Sequence, residues 1–286
     1  MKINSMVLPK QGFFQYLVRC LAVGIVYAFA NFLNAALLGS LSRQSATWEN
    51  TAMWTLTGTI ICISFSPFII HSTWSQTKTM LAVWAAMAFI RSFGLGIEGA
   101  LFKPASSVVS LLGALTGTVI GLLVAWFSVK LLMPADDISG KSHGNYSWWG
   151  WTWRVLVVGL AYFVFYFIFG ATNAFLYTMN FYKNNPQYGL TLPPAGIIFM
   201  AQLLRGPLFG LGSLFIVRSV KLPRRQLALW LGLMLFVIGG FAPYMEITFR
   251  TMPLGFNLAT LTEILFQNVL TGAVAANLFG SKLVVK

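Results

Sequence analysis

The chain has 286 residues, of which 57% are hydrophobic and only 9% are charged, with a net charge of +13. Soluble domains carry about 25% charged residues, so a soluble globular fold is excluded for most of this length. The basic residues stand between apolar runs, so they read as orientation signals in a bilayer and not as a nucleic-acid surface.

Taken in order, Lys2 and Lys10 precede an apolar run, as in a signal peptide. The run from Cys20 to Leu41 is longer than an ordinary signal-peptide core, so it reads as an uncleaved first span. Eight apolar segments follow one another: 14–40, 52–73, 79–101, 108–132, 152–178, 194–218, 225–247 and 254–280. Each is long enough for the roughly 20 helical residues that cross a bilayer. They are continuous runs and not short alternating strands, which favours helices over a closed barrel. The expected fold is an all-α polytopic integral membrane protein with eight transmembrane helices. Cys20 and Cys62 both fall inside spans and imply neither a disulfide framework nor a zinc site.

With the N-terminus inside, thirteen Lys and Arg fall on the inner side and only Arg43, Lys103, Lys183 and Arg250 on the outer. Arg91 and Arg205 remain at membrane depth. This asymmetry predicts both termini in the cytoplasm of a cell with its inner (plasma) membrane as the host bilayer.

The two halves resemble each other. Arg19, Gly24 and Tyr27 match Arg154, Gly159 and Tyr162 at one offset, and Leu81-Ala82-Val83-Trp84 matches Leu227-Ala228-Leu229-Trp230. Leu115-Thr116-Gly117-x-Val119 matches Leu270-Thr271-Gly272-x-Val274. The same order of three matches predicts a four-helix repeat at 1–132, a cytoplasmic linker at 133–151 and a second repeat at 152–286. Four is even, so both copies enter from the same side and the repeats are parallel. Gly113, Gly117 and Gly121 in span 4, with Gly272, Ala276 and Gly280 in span 8, make small-residue faces for close helix packing.

Polar residues inside spans are the candidate site. Arg91 and Glu98 share a face of span 3, Gln202 and Arg205 a face of span 6, Glu246 and Arg250 the end of span 7, and Glu263 and Gln267 a face of span 8. Such faces cannot all meet lipid, so they are expected to converge on a pocket opening outward. Pro207, just after Arg205, is expected to break its helix there, since proline has no N–H to donate. A structural alternative pairs Arg205 or Arg91 with Glu263 as a lock between halves. Two arginines against one glutamate at mid-depth leave an excess of positive charge, which points to an anion or a lipid headgroup. Glu98, Glu246 or Glu263 could couple protons.

Catalytic signals are thin. His71 and His143 lie at or beyond span ends without metal-ligand spacing, and no phosphate-binding loop or dinucleotide fingerprint is present. The expectation is therefore a non-enzymatic protein without cofactor or metal, whose partners are the bilayer and a small anionic solute. The rival reading is a non-transporting assembly, anchoring or sensing subunit whose buried charges are structural.

Overall fold

The computed structural model describes residues 12–37, 46–102, 107–134, 147–185, 187 and 193–280. Among them the regular elements are helical, and eight helices are long and apolar enough to cross a membrane. They are α1 (Phe13–Leu37), α2 (Trp48–Ile70), α3 (Gln76–Leu101), α4 (Val109–Leu132), α5 (Trp148–Asn184), α6 (Ala195–Ser219), α7 (Arg224–Glu246) and α8 (Leu254–Phe279). Their number agrees with the apolar segments of the sequence, and α5 runs beyond the expected end at 178. His143, Lys141 and most of the expected linker lie outside the described residues.

The surface carries many large apolar side chains. Phe14, Phe32, Leu115, Val119, Leu160, Ile168 and Phe175 are all exposed, as side chains of a soluble bundle would not be. Inside, Tyr27, Trp54, Ile61, Phe65, Ile90, Phe209 and Leu231 belong to one continuous core.

The helices pack in corresponding ways in the first four and the last four. Helix α1 lies on α2, and α5 on α6; α4 lies on α1 and α3, and α8 on α5 and α7. Glycines set the closest approaches. A Cβ on Gly24 would meet the backbone of Thr55 and Thr59, and one on Gly159 would stand 2.8 Å from Gly206 C and Pro207 N. Arg19 Nη1 donates to Leu131 O at 2.7 Å, and Arg154 Nε donates to Leu278 O at 3.1 Å. These carbonyls are the penultimate ones of α4 and α8, where free C=O groups favour a cation. Between halves, α3 packs on α6 and α2 on α7.

The small-residue faces behave unequally. Gly272 meets the backbone of Leu231 and Gly232, Gly117 meets only the Ser92 side chain, and Gly113 faces open space.

Three helices pass through π-helical turns: α3 at Met87–Phe93, α5 at Ala174–Thr178 and α7 at Val237–Phe241. Pro243 follows the last of these and cannot donate to the Gly239 carbonyl, which accounts for the loosened ladder there. The expected break at Pro207 does not occur. Helix α6 continues through it from Ala195 to Ser219, with Gly206 pressed on Gly159.

Candidate functional site: two ion pairs between the halves

Arg91 stands in the π-helical turn of α3. Its Nη2 donates to Glu246 Oε2 of α7 at 2.7 Å and to the Tyr27 hydroxyl of α1 at 2.6 Å. Tyr27 in turn donates to Glu246 Oε1 at 2.7 Å. The three side chains close a triangle, and the Arg91 and Glu246 side chains are 11% and 6% exposed.

Arg205 forms the second pair. Its Nη1 lies 2.6 Å from Glu98 Oε2 of α3, with side-chain exposures of 6% and 30%. Gln202 Oε1, one turn earlier on α6, accepts from the Tyr162 hydroxyl at 3.1 Å and from Arg205 Nη1 at 3.4 Å. The guanidinium lies 5.8 Å from the ring centres of both Tyr162 and Phe209, which stack on each other. Arg91 likewise lies 5.8 Å from the Tyr27 ring. Each pair thus joins a first-half residue to a second-half residue and is attended by a tyrosine from the first helix of one half.

The remaining residues are placed differently. Gln267 is buried beside Tyr162. Glu263 Oε2 accepts from Asn173 Nδ2 of α5 at 2.6 Å. Arg250 is exposed, with Nη1 donating to Asn50 Oδ1 at 3.1 Å, apart from both pairs. His71 is the exposed C-cap of α2.

Two expectations are corrected. Neither arginine pairs with Glu263; their carboxylates are Glu246 and Glu98. The excess of buried positive charge is therefore absent, since each arginine has its own glutamate. The polar faces gather in two clusters and a separate Glu263–Asn173 contact, not in one outward pocket. A recess of about 240 Å³ between α3, α4 and Leu204 of α6 is lined by apolar side chains such as Phe93, Ile97 and Leu111.

Tyr27, Tyr162 and Asn173 complete these arrangements. The tyrosines carried a signal, because they sit at equal offsets after Arg19 and Arg154. Asn173 had none beyond being polar near a span end. Both clusters hold spare donors: Arg91 Nη1, Arg205 Nε and Gln202 Nε2 are buried with no hydrogen-bond partner among the described residues. Buried polar atoms are ordinarily satisfied, so each spare donor asks for an acceptor. Among the described residues no group of three metal-ligating side chains is present. The chain matches no protein-family model, no curated protein and no solved structure.

Proposed function

We propose that the chain is a multi-pass protein of the inner (plasma) membrane, built by duplication of a four-helix unit, which binds and carries a small anionic solute between its halves. Both termini face the cytoplasm in this reading, and the solute is held without any bond being made or broken. The observation that carries it is the set of three spare donors on Arg91, Arg205 and Gln202, all buried beside the ion pairs. A carboxylate or phosphate supplies acceptors for such donors, and guanidinium groups match them with two hydrogen bonds. The π-helical turns of α3 and α7 add support, since such turns recur at functional sites. The two ion pairs then act as gates that open as the halves separate.

The duplication is supported by the corresponding glycine contacts, the Arg19 and Arg154 caps and the parallel packing order. The test is uptake into proteoliposomes of a panel of carboxylates and phosphates. Uptake of one class is expected, largely lost in Arg205→Lys, which keeps charge but not the two-pronged contact. The closed triangle of Arg91, Glu246 and Tyr27 favours a second reading, a non-transporting assembly or anchoring subunit with permanent locks. Absence of uptake and binding for every anion would favour that reading.

A further inference from the structure

Four carboxylates lie within the described apolar helices; Glu49 is exposed in the first turn of α2, and two of the three deeper ones have an arginine. Glu263 differs: among the described residues it forms no salt bridge, and it accepts from the neutral Asn173 side chain. It is the tenth residue of α8, about 14 Å from the helix start at roughly 1.5 Å per residue, and so near mid-bilayer. Its side chain is only partly covered. Gly170 of α5 leaves a methyl-sized recess at the free oxygen, since a Cβ there would stand 3.2 Å from Glu263 Oε1 and 4.0 Å from Tyr166 Cε1. Phe169, next to Gly170 in the chain, stacks on Phe266, one turn after Glu263, and Phe266 is half exposed.

An ionised carboxylate in this position lacks a counter-charge in a medium that does not solvate it. A bound proton removes the charge, leaves Oε2 to accept from Asn173 and places an O–H at the Gly170 recess. We propose that Glu263 is a reversible proton-binding site, reached from the lipid side through the gap beside Gly170. The titratable groups in electrostatic reach are Tyr162, Tyr166 and Tyr182, all on α5. Tyr162 and Tyr166 also lie within electrostatic reach of Glu98 and Arg205. Of the three carboxylates that could couple protons, the pairing leaves Glu263. The site does not depend on solute transport, so a chain that carries no solute can still bind a proton here.

The test is labelling of the wild-type protein in membranes by dicyclohexylcarbodiimide, which partitions into lipid. The protonated carboxyl adds across one C=N bond: its oxygen bonds to carbon and its proton goes to nitrogen, giving an acylisourea. Peptide mapping is expected to place the label on Glu263 and not on Glu98 or Glu246 of the same wild-type protein, with at least a tenfold loss in Glu263→Gln. The rate is expected to fall as pH rises. Gly170→Ala fills the recess and is expected to slow labelling several-fold while the protein still melts as a folded species. Absence of label on wild-type Glu263, or a rate independent of pH, overturns the proposal. Protection by sodium or lithium at constant pH also overturns it, because the site would then hold a metal cation.

Discussion

Ser72 and Val220 face each other in an antiparallel bridge, and each stands three residues before the N-cap of the next helix, Ser75 in one half and Pro223 in the other. Thr73 N donates to Ser219 O at 2.7 Å beside it, and the Ser72 and Thr79 hydroxyls lie 2.6 Å apart. Corresponding positions that pair with each other are what a two-fold relation between halves produces. The pairing of α3 with α6 and of α2 with α7 follows the same exchange. The halves are thus tied by backbone at the Ser72–Val220 bridge and by side chains at the two ion pairs.

The first prediction concerns Arg91 and Glu246. Breaking a buried pair by removing one partner costs about 3–5 kcal/mol, because the other charge stays buried. Arg91→Gln and Glu246→Gln should each lower detergent thermal stability markedly, and the double variant should recover much of the loss. Glu98→Gln should cost less than Glu246→Gln, since the Glu98 side chain is 30% exposed and that of Glu246 only 6%. Purely additive losses in the Arg91/Glu246 double variant would mean that the two residues do not form a pair.

The second prediction separates three glycines that look alike in sequence. Gly272→Ala should destabilise by about 1–3 kcal/mol, the usual cost of overpacking, because its Cβ meets the α7 backbone at Gly232. Gly117→Ala meets only the Ser92 hydroxyl, 3.0 Å away, which can rotate. Gly113→Ala has open space and should be neutral or gain up to about 1 kcal/mol from helix propensity. Equal melting temperatures for all three would place the α7–α8 contact wrongly.

These cases show what the sequence could carry. Eight helices were legible because a lipid-crossing run needs only length and apolarity, both visible in one dimension. Arg91 and Arg205 were legible as buried charges for the same reason. Their partners were not. Glu263 matched them in depth, but depth says nothing about which helices are neighbours, and α3 lies on α6 and near α7. The π-helical turn at Met87–Phe93 also shifts the faces on which Arg91 and Glu98 lie, and no apolar periodicity announces such a shift. Pro207 looked like a break because proline removes a hydrogen bond, yet glycine packing against α5 keeps α6 continuous.

The third prediction is topological. Reporters fused after Lys141 and after Arg225 should lie in the cytoplasm, and reporters after Arg43 and Lys183 outside. It rests on the distribution of Lys and Arg between alternate connections. A reporter at Lys141 found outside would remove both the orientation and the parallel repeat, since that connection joins the two halves.

The last prediction uses the bridge to ask whether the halves move. Facing residues of an antiparallel pair have Cα atoms about 4.5–5.5 Å apart. Disulfides accept Cα separations of roughly 4.4–6.8 Å, so Ser72→Cys with Val220→Cys should cross-link without moving the backbone. Cys20 and Cys62 are buried and free, and replacing both with alanine removes competing thiols. Arg218 and Lys221 flank position 220, and positive neighbours favour the reactive thiolate. Mild oxidation of the double-cysteine protein is therefore expected to form one intramolecular disulfide and to raise thermal stability. If a solute passes between the halves by separation of their bridged ends, oxidation should also arrest uptake, and a reducing agent should restore it. Full uptake by the cross-linked protein would show that the bridged ends stay together through the cycle, and the gating role assigned to the ion pairs would fall with that result. Failure to cross-link would place Ser72 and Val220 apart, and the two-fold relation between halves would lose its most direct contact.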